Sequence, residues 1–274
     1  MATMATVISM KSKISNNILI ILIQNIVCFI IINLIEPYTI CKAIKTKCYS
    51  LHLLRALFGV AIYIFYYKTI KVLSPVSAVL LLHTAPIFIP LIEIVRVRKL
   101  PSLKLLATLF VGFLGLYCIL HPSLSEFQKL IGIAFGLISG FCFAVTFPLT
   151  KALKRTESIP EIISLYSFHS IVFSLLILFF YDNFQFNFVD LILYLIVGLM
   201  YFCQIYLVNK AIAYVGPTIS GAMTNLSVIF AILLDIYINR SIPVFSLFVG
   251  LFLVLSSSYY LLRSESTNAQ AFKS

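Results

Sequence analysis

Long apolar runs recur along the whole chain, and they restrict its fold more than any other feature of the sequence. Of the 274 residues, 61% are hydrophobic and only 11% are charged. An ordinary soluble domain has about a quarter charged residues. Too few charged side chains are present here to cover a soluble core, so the sequence predicts a protein that lies in a lipid bilayer.

Each run is long enough to cross the bilayer as a helix, since a transmembrane helix needs about 20 residues. None of the runs alternates between apolar and polar residues as a transmembrane β-strand does. We therefore expect an all-α, polytopic membrane protein with nine transmembrane helices. The predicted helices span 17–36, 52–70, 75–95, 103–120, 130–151, 161–181, 190–212, 217–237 and 243–263. Residues 1–16 and 264–274 are predicted as short tails, and no room remains for a separate soluble domain.

The basic residues are divided unequally between the two sides of the predicted bundle. When successive loops alternate sides, 14 of the 20 Lys and Arg residues, Arg55 among them, fall on one side and 6 on the other. Loops rich in basic residues face the cytoplasm. We therefore expect a cytoplasmic C-terminus and an N-terminus on the opposite side. The net charge of +11 has the same explanation, so no nucleic-acid partner is expected.

The chain contains an internal repeat with an offset of 142 residues. The offset pairs Lys68 with Lys210, Pro75 with Pro217, Arg98 with Arg240, and Pro101 with Pro243. It divides the chain into a first repeat of four helices at 17–120 and a second of five at 130–263, in which helix 130–151 has no counterpart. Matched helices are five spans apart, so they cross the membrane in opposite directions. Such an inverted repeat is typical of secondary transporters that work by alternating access.

Two segments carry a resemblance to a known family. The first is LHLLRALFGVAIYIFYYKTIKVLSPVSAVLLLHTAPIFIPLIEIV, and the second is LKLLATLFVGFLGLYCILHP, which follows a basic turn and Pro101. Together with Gln24, Asn25 and Arg55, they resemble the EamA-type drug/metabolite transporter superfamily over about residues 17–263. The resemblance implies a carrier of the bacterial inner membrane, built from two five-helix repeats.

The sequence departs from the family pattern in two places. The family's first helix is absent, so we expect either a nine-span variant or a true start upstream of Met1. Arg98 and Lys99 replace a Gly-Glu pair that is frequent after the family's fourth helix. Family members carry amino acids, drugs or solutes similar to S-adenosylmethionine, and the sequence does not choose among these.

Polar residues near the middle of the predicted spans are the first candidates for a binding site, because they are costly in lipid. His83 and Thr84 lie near the centre of helix 75–95, and the repeat places Thr224 and Asn225 at the same depth in helix 217–237. We expect these residues to face a central cavity. The alternative is that they only form hydrogen bonds between neighbouring helices.

Further polar residues extend the expected cavity. Lys68 and Lys210 lie near the ends of matched helices, where they either attract an anionic solute or extend to the lipid headgroups. The other residues predicted to line the cavity are Tyr63, Thr146, Tyr201 and Gln204.

Proline and glycine residues indicate where helices bend and approach each other. Pro86 and Pro90 remove backbone hydrogen bonds from helix 75–95, which favours a bend suited to a gate. Gly132, Gly136 and Gly140 form a ridge of small residues at every fourth position of their helix. This ridge predicts close helix contact, either as a sliding surface or as simple packing.

The sequence gives no support for enzyme or ATPase chemistry. It has no G-x-x-x-x-G-K-[ST], H-E-x-x-H or G-x-S-x-G motif, and its four histidines lack metal-ligand spacing. We therefore expect no catalytic residue, metal or cofactor. The sequence predicts a secondary transporter whose partners are a small-molecule solute and the bilayer. A homodimer is also compatible with the sequence. The alternative is a membrane scaffold or assembly subunit that does not transport.

Overall fold

The computed structural model describes residues 17–37, 39–73, 75–97, 103–120, 127–180, 188–224, 248–257 and 259–260. Within these ranges the regular structure is helical throughout, which confirms the predicted all-α class. The helices are α1 (Asn17–Ile35), α2 (Thr39–Ala43), α3 (Tyr49–Val72), α4 (Pro75–Leu82), α5 (Ala85–Val97), α6 (Leu103–Leu120), α7 (Phe127–Leu153), α8 (Ile159–Phe179), α9 (Phe188–Val215), α10 (Pro217–Thr224) and α11 (Phe248–Ser257).

Five of the described helices are long and apolar enough to cross a bilayer, as a multi-pass protein requires. These segments are Ile18–Ile35, Tyr49–Val72, Gln128–Leu153, Ile159–Phe179 and Leu191–Val215. Large apolar side chains such as Phe179 and Ile192 remain mostly exposed on their outer faces. An apolar outer surface of this kind suits contact with lipid. The predicted helices 217–237 and 243–263 lie only partly within the described residues, so the count of nine remains a prediction.

The predicted helix at 75–95 is interrupted where Pro86 favours a bend: the structure divides it into α4 and α5 with a turn at His83 and Thr84. Pro86 explains the break, since its nitrogen has no hydrogen to donate to the carbonyl of Leu82. At the turn, the Thr84 nitrogen instead donates to the carbonyl of Leu81 at 3.2 Å. The Thr84 hydroxyl donates to the same carbonyl at 2.8 Å.

Two helix boundaries follow from local sequence signals. Ser158 caps α8 in a capping box with Glu161, and Pro160 lies in the first turn. At the other boundary, Gly216 adopts a φ of 86°, which ends α9 and allows Pro217 to begin α10 in a new direction. A left-handed conformation favours glycine, because a Cβ would be strained there.

The centre of the bundle is formed by α3 and α7, which pack along most of their length. The Ser139 hydroxyl of α7 donates to the carbonyl of Ile62 in α3 at 2.8 Å. Helices α8 and α9 pack against α1 on the far side. A space remains between α3, α7, α8 and α9, and several polar side chains line it.

Candidate functional site

A cavity opens at the centre of the bundle, with an empty space of about 580 Å³ that includes its mouth. Side chains from α3, α4, α7, α8 and α9 line it. The polar lining residues are Arg55, Tyr63, Thr146, Thr150, Tyr166, Tyr201, Gln204 and Asn209. The remaining lining residues are Gly59, Ile62, Leu82, Phe143, Ile205, Val208 and Ile212.

Arg55 is the charged residue among the described residues of the cavity lining, and it is only 4% exposed. Its Nε donates to the Thr150 hydroxyl at 2.9 Å, and its Nη2 donates to the Asn209 side-chain oxygen at 3.0 Å. The guanidinium carbon lies 4.4 Å from the centre of the Tyr166 ring, a cation–π distance. All three partners are uncharged, and no carboxylate among the described residues forms an ion pair with Arg55.

The two residues that accept hydrogen bonds from Arg55 are themselves held in place. The Thr150 hydroxyl donates to the carbonyl of Thr146 at 2.7 Å, which leaves a lone pair directed toward Arg55. The Asn209 amide donates to the carbonyl of Ile205 at 2.6 Å, and this turns its oxygen toward the guanidinium. The orientation of Arg55 is therefore fixed by two helices, α7 and α9, from the other half of the chain.

Arg55 still has an unsatisfied nitrogen. Its Nη1 is buried and has no hydrogen-bond partner within the part of the chain that the structure describes. A guanidinium has five N–H groups, so both hydrogens of Nη1 lack an acceptor. Leaving a buried polar group of this kind without a partner costs free energy, and the cost is larger for a charged group.

Three tyrosines form one wall of the cavity. The hydroxyl groups of Tyr166 and Tyr201 lie 2.8 Å apart, and the ring of Tyr63 meets that of Tyr201 edge to face at 5.7 Å. Gly59 makes room for this wall, because a Cβ at that position would overlap the end of the Tyr166 ring. A larger residue in place of Gly59 would push Tyr166 away from Arg55.

A polar cluster closes the bundle at the end where α3 begins, and we refer to His52, Glu157, Thr46, Tyr49 and His169 as the end cluster. His52 Nε2 lies 2.5 Å from Glu157 Oε2, and the Thr46 hydroxyl donates to the same carboxylate. Tyr49 and His169 form a second hydrogen bond of 2.8 Å. His52 precedes Arg55 by three residues, or about 4.5 Å along the helix axis, so the end cluster lies directly outside the cavity.

Several of the residues predicted to bind solute line this cavity, namely Tyr63, Thr146, Tyr201 and Gln204. His83 is buried beside it, and its ring centre lies 6.3 Å from that of Phe143, which is part of the lining. Thr84 is buried at the helix break and bonds to the Leu81 carbonyl.

The other predicted residues lie away from the cavity or outside the described residues. Lys68 and Lys210 are exposed, with their Nζ atoms 5.3 Å from the Phe135 ring centre and 4.9 Å from that of Tyr206. The Thr224 hydroxyl donates to the carbonyl of Gly221 at 2.6 Å.

Asn225 lies outside the described residues, and Pro90 lies within helix α5. Pro86 is buried at the start of α5.

The glycine ridge of α7 faces α4 and the end of α3. A Cβ at Gly132 would meet Leu73, one at Gly136 would overlap Leu81, and one at Gly140 would overlap Thr84. The ridge thus brings α7 close to the helix break.

The cavity also contains residues that the sequence did not assign to it: Arg55, Thr150, Tyr166 and Asn209. The sequence groups Arg55 with the basic residues of one side, and the structure shows its side chain buried against Thr150 and Asn209 inside the bundle. The available signal was a basic residue within the apolar run LHLLRALFGV. A charge inside a membrane helix normally faces the bundle interior.

An all-α bundle with several helices of bilayer length and a polar central cavity defines a multi-pass membrane protein. Residues 130–263 match the EamA-like transporter family. A segment of 109 residues is 30% identical to an uncharacterized transporter of Archaeoglobus fulgidus, covering 38% of this chain and 39% of that relative. The second half of the chain is therefore similar to the EamA-like transporter family, and the chain spans about two fifths of the length of the curated relative that it matches.

A solved protein crystal structure shares the fold at a TM-score of 0.65, with 14% sequence identity. The superposition covers 94% of this chain and 93% of that chain. The likeness therefore extends beyond the segment that matches the family, and at this identity it concerns the fold alone.

Proposed function

We propose that the protein is a secondary transporter that moves a small metabolite through the central cavity by alternating access. The observation that carries the proposal is the burial of Arg55 in the cavity lining with one nitrogen unsatisfied. Ionisable residues inside membrane bundles are rare, and they characteristically mark a solute or ion pathway. A scaffold subunit has no need for such a costly group at its centre.

Both proposed halves of the molecule contribute to the cavity. Arg55 and Tyr63 belong to the segment 17–120, and Tyr201 and Asn209 belong to the segment 130–263. A binding site at the boundary of two repeats is typical of alternating access, in which the repeats rock around a fixed site. The matched residues at an offset of 142 support this inverted-repeat arrangement.

The proposed gates lie at two ends of the cavity. The end cluster, with its short contact between His52 and Glu157, closes the side where α3 begins. The break at His83 and Thr84 supplies the interrupted helix that transporters commonly use beside their sites. In this proposal the end cluster lies at the cytoplasmic side of a bacterial inner membrane, because basic residues are concentrated in the loops on its side.

The test is an exchange screen on the full chain reconstituted in liposomes. The vesicles are loaded with a mixture of amino acids, drug-like amines and nucleoside-like solutes including S-adenosylmethionine, and release is measured by mass spectrometry. We expect at least one solute to leave faster than from protein-free vesicles. If the protein is correctly inserted and unfolds cooperatively but releases none of these solutes, it is not a transporter. The alternative, a membrane scaffold or assembly subunit, would then be the better explanation.

A further inference from the structure

We infer that the solute carries a carboxylate group and that Arg55 binds it, an assignment that rests on the proposed transport function. The cavity carries a positive charge: among the described lining residues Arg55 is cationic and none is acidic. A buried cation is strongly favoured by an opposite charge within about 4–6 Å, so an anionic solute supplies a charge that the described lining lacks.

The hydrogen bonds of Arg55 favour an oxyanion as the ligand. Thr150 and Asn209 use Nε and Nη2 and hold the guanidinium plane in one orientation, while Nη1 has no acceptor among the described residues. A guanidinium matches the planar geometry of a carboxylate and bonds it more strongly than a neutral acceptor. The Nη1 atom is closed off from solvent in this conformation, so the solute reaches it when the helices part, as alternating access requires.

The rest of the lining selects a carboxylate with an apolar body over a small inorganic anion. Leu82, Phe143, Val208 and Ile212 contribute an apolar wall. Small-molecule sites typically combine an apolar lining with a few fixed polar groups that set orientation. Arg55 is the group that sets orientation here.

A purely structural role explains Arg55 less well. Thr150 and Asn209 are able to form hydrogen bonds with a neutral side chain, which would link α3 to α7 and α9 without burying a charge. Replacing a buried ion pair with well-packed apolar side chains is often neutral or stabilising for a fold, so stability alone does not call for a buried charge. A desolvated cation whose Nη1 has no acceptor among the described residues therefore indicates a ligand.

The experiment measures binding and transport separately on the full chain. The probes are the standard L-amino acids, lactate and benzoate, each compared with its amide. Binding is measured as the shift in thermal unfolding temperature in detergent, and transport as exchange in liposomes. We expect carboxylates to bind and to be exchanged at least about tenfold better than their amides, because only the carboxylate forms a charge-assisted hydrogen bond with Arg55 through a negatively charged acceptor.

Three variants isolate Arg55. Arg55→Gln should abolish the preference for carboxylates over amides, and Arg55→Lys should retain part of it, because the charge remains while the planar geometry is lost. Lys71→Gln removes the same charge from an exposed position on α3 and should leave the preference unchanged. If Arg55→Gln does not fold, the preference for carboxylates over amides is compared between Arg55→Lys and the wild type. A weaker preference in Arg55→Lys supports the assignment, and an equal one overturns it.

Each outcome separates this inference from the transport function on which it rests. Carboxylates that bind in an Arg55-dependent way without being exchanged support the site and overturn transport. Equal exchange of amides and carboxylates supports transport and overturns the carboxylate assignment. Absence of binding by every probe also overturns it.

Discussion

The hydroxyl groups of Tyr166 in α8 and Tyr201 in α9 lie 2.8 Å apart in the wall of the central cavity. Tyr166 also presents its ring to the guanidinium of Arg55 at 4.4 Å. The pair therefore links the position of the buried charge to two helices that otherwise contact each other little.

Tyr166→Phe and Tyr201→Phe should each lower the free energy of unfolding, because the remaining hydroxyl loses its buried partner. In a double-mutant cycle, the coupling energy between the two substitutions should be about 1 kcal/mol. Thermal unfolding of the four proteins in detergent provides the measurement. Strictly additive effects would mean that the hydroxyl pair contributes nothing to the fold.

His83→Ala and Asn225→Ala should abolish solute flux while protein abundance stays at the wild-type level. His83 lies at the break between α4 and α5, beside the cavity residue Phe143, and the repeat pairs it with Asn225. Flux is measured in vesicles with the solute found in the exchange screen. Val95→Ala, at an exposed position of α5, is the matched control, and normal flux in both site variants would remove these residues from the pathway.

Glu157→Gln should loosen the end cluster, because it replaces the carboxylate that His52 and Thr46 share. The nitrogen of Cys48 donates to the Thr46 hydroxyl at 3.0 Å, so the thiol of Cys48 should react faster once the cluster opens. The rate of maleimide labelling of Cys48 is measured in a Cys41→Ser background. Glu36→Gln makes the same change of charge at an exposed site and should leave the labelling rate of Cys48 unaltered. An equal increase of that rate in both variants would argue against a gate at the end cluster.

Gly140→Ala should destabilise the fold by about 1–3 kcal/mol, the usual cost of overpacking a tight contact. A Cβ at this position would overlap both the Thr84 hydroxyl and the backbone carbonyl of Leu81. The backbone at the helix break must therefore move. Thermal unfolding in detergent measures the effect against Ala134→Ser on the exposed face of the same helix, and equal stability of the two variants would contradict the close contact.

Cys41 and Cys48 should resist a membrane-impermeant thiol reagent applied to intact cells and should react after permeabilisation. This follows from the excess of basic residues on their side of the bundle. Lys71→Cys lies at the opposite end of α3 and should react in intact cells when the native cysteines are replaced by serine. Labelling in the reverse pattern would invert the proposed orientation.

The positions of the helices were predictable because each depends on a local property, the length of an apolar run. Helices α1 and α6 begin and end within a residue of the predicted bounds. The break at His83 was only partly predictable. Pro86 indicated a bend, but the two-residue turn at His83 and Thr84 also involves the Thr84 hydroxyl, which bonds to the Leu81 carbonyl.

The centre of the site was not predictable from one sequence, since it depends on contacts across long stretches of chain. Arg55 meets Thr150 and Asn209, which are 95 and 154 residues away. Nothing in the local pattern around Thr150 or Asn209 distinguishes them from other polar residues near helix ends. Tyr63 and Tyr201 were identified because both lie within long apolar helices, where a polar group is conspicuous.

The same separation has a consequence for biosynthesis. When the ribosome has completed α3, Arg55 is ready to enter the membrane, but the residues that will accept its hydrogen bonds have not yet been made. The guanidinium must stay near the lipid headgroups or the insertion machinery until α7 and α9 follow. Correct assembly of this bundle is therefore completed late in synthesis, when the second half encloses a charge that the first half cannot satisfy.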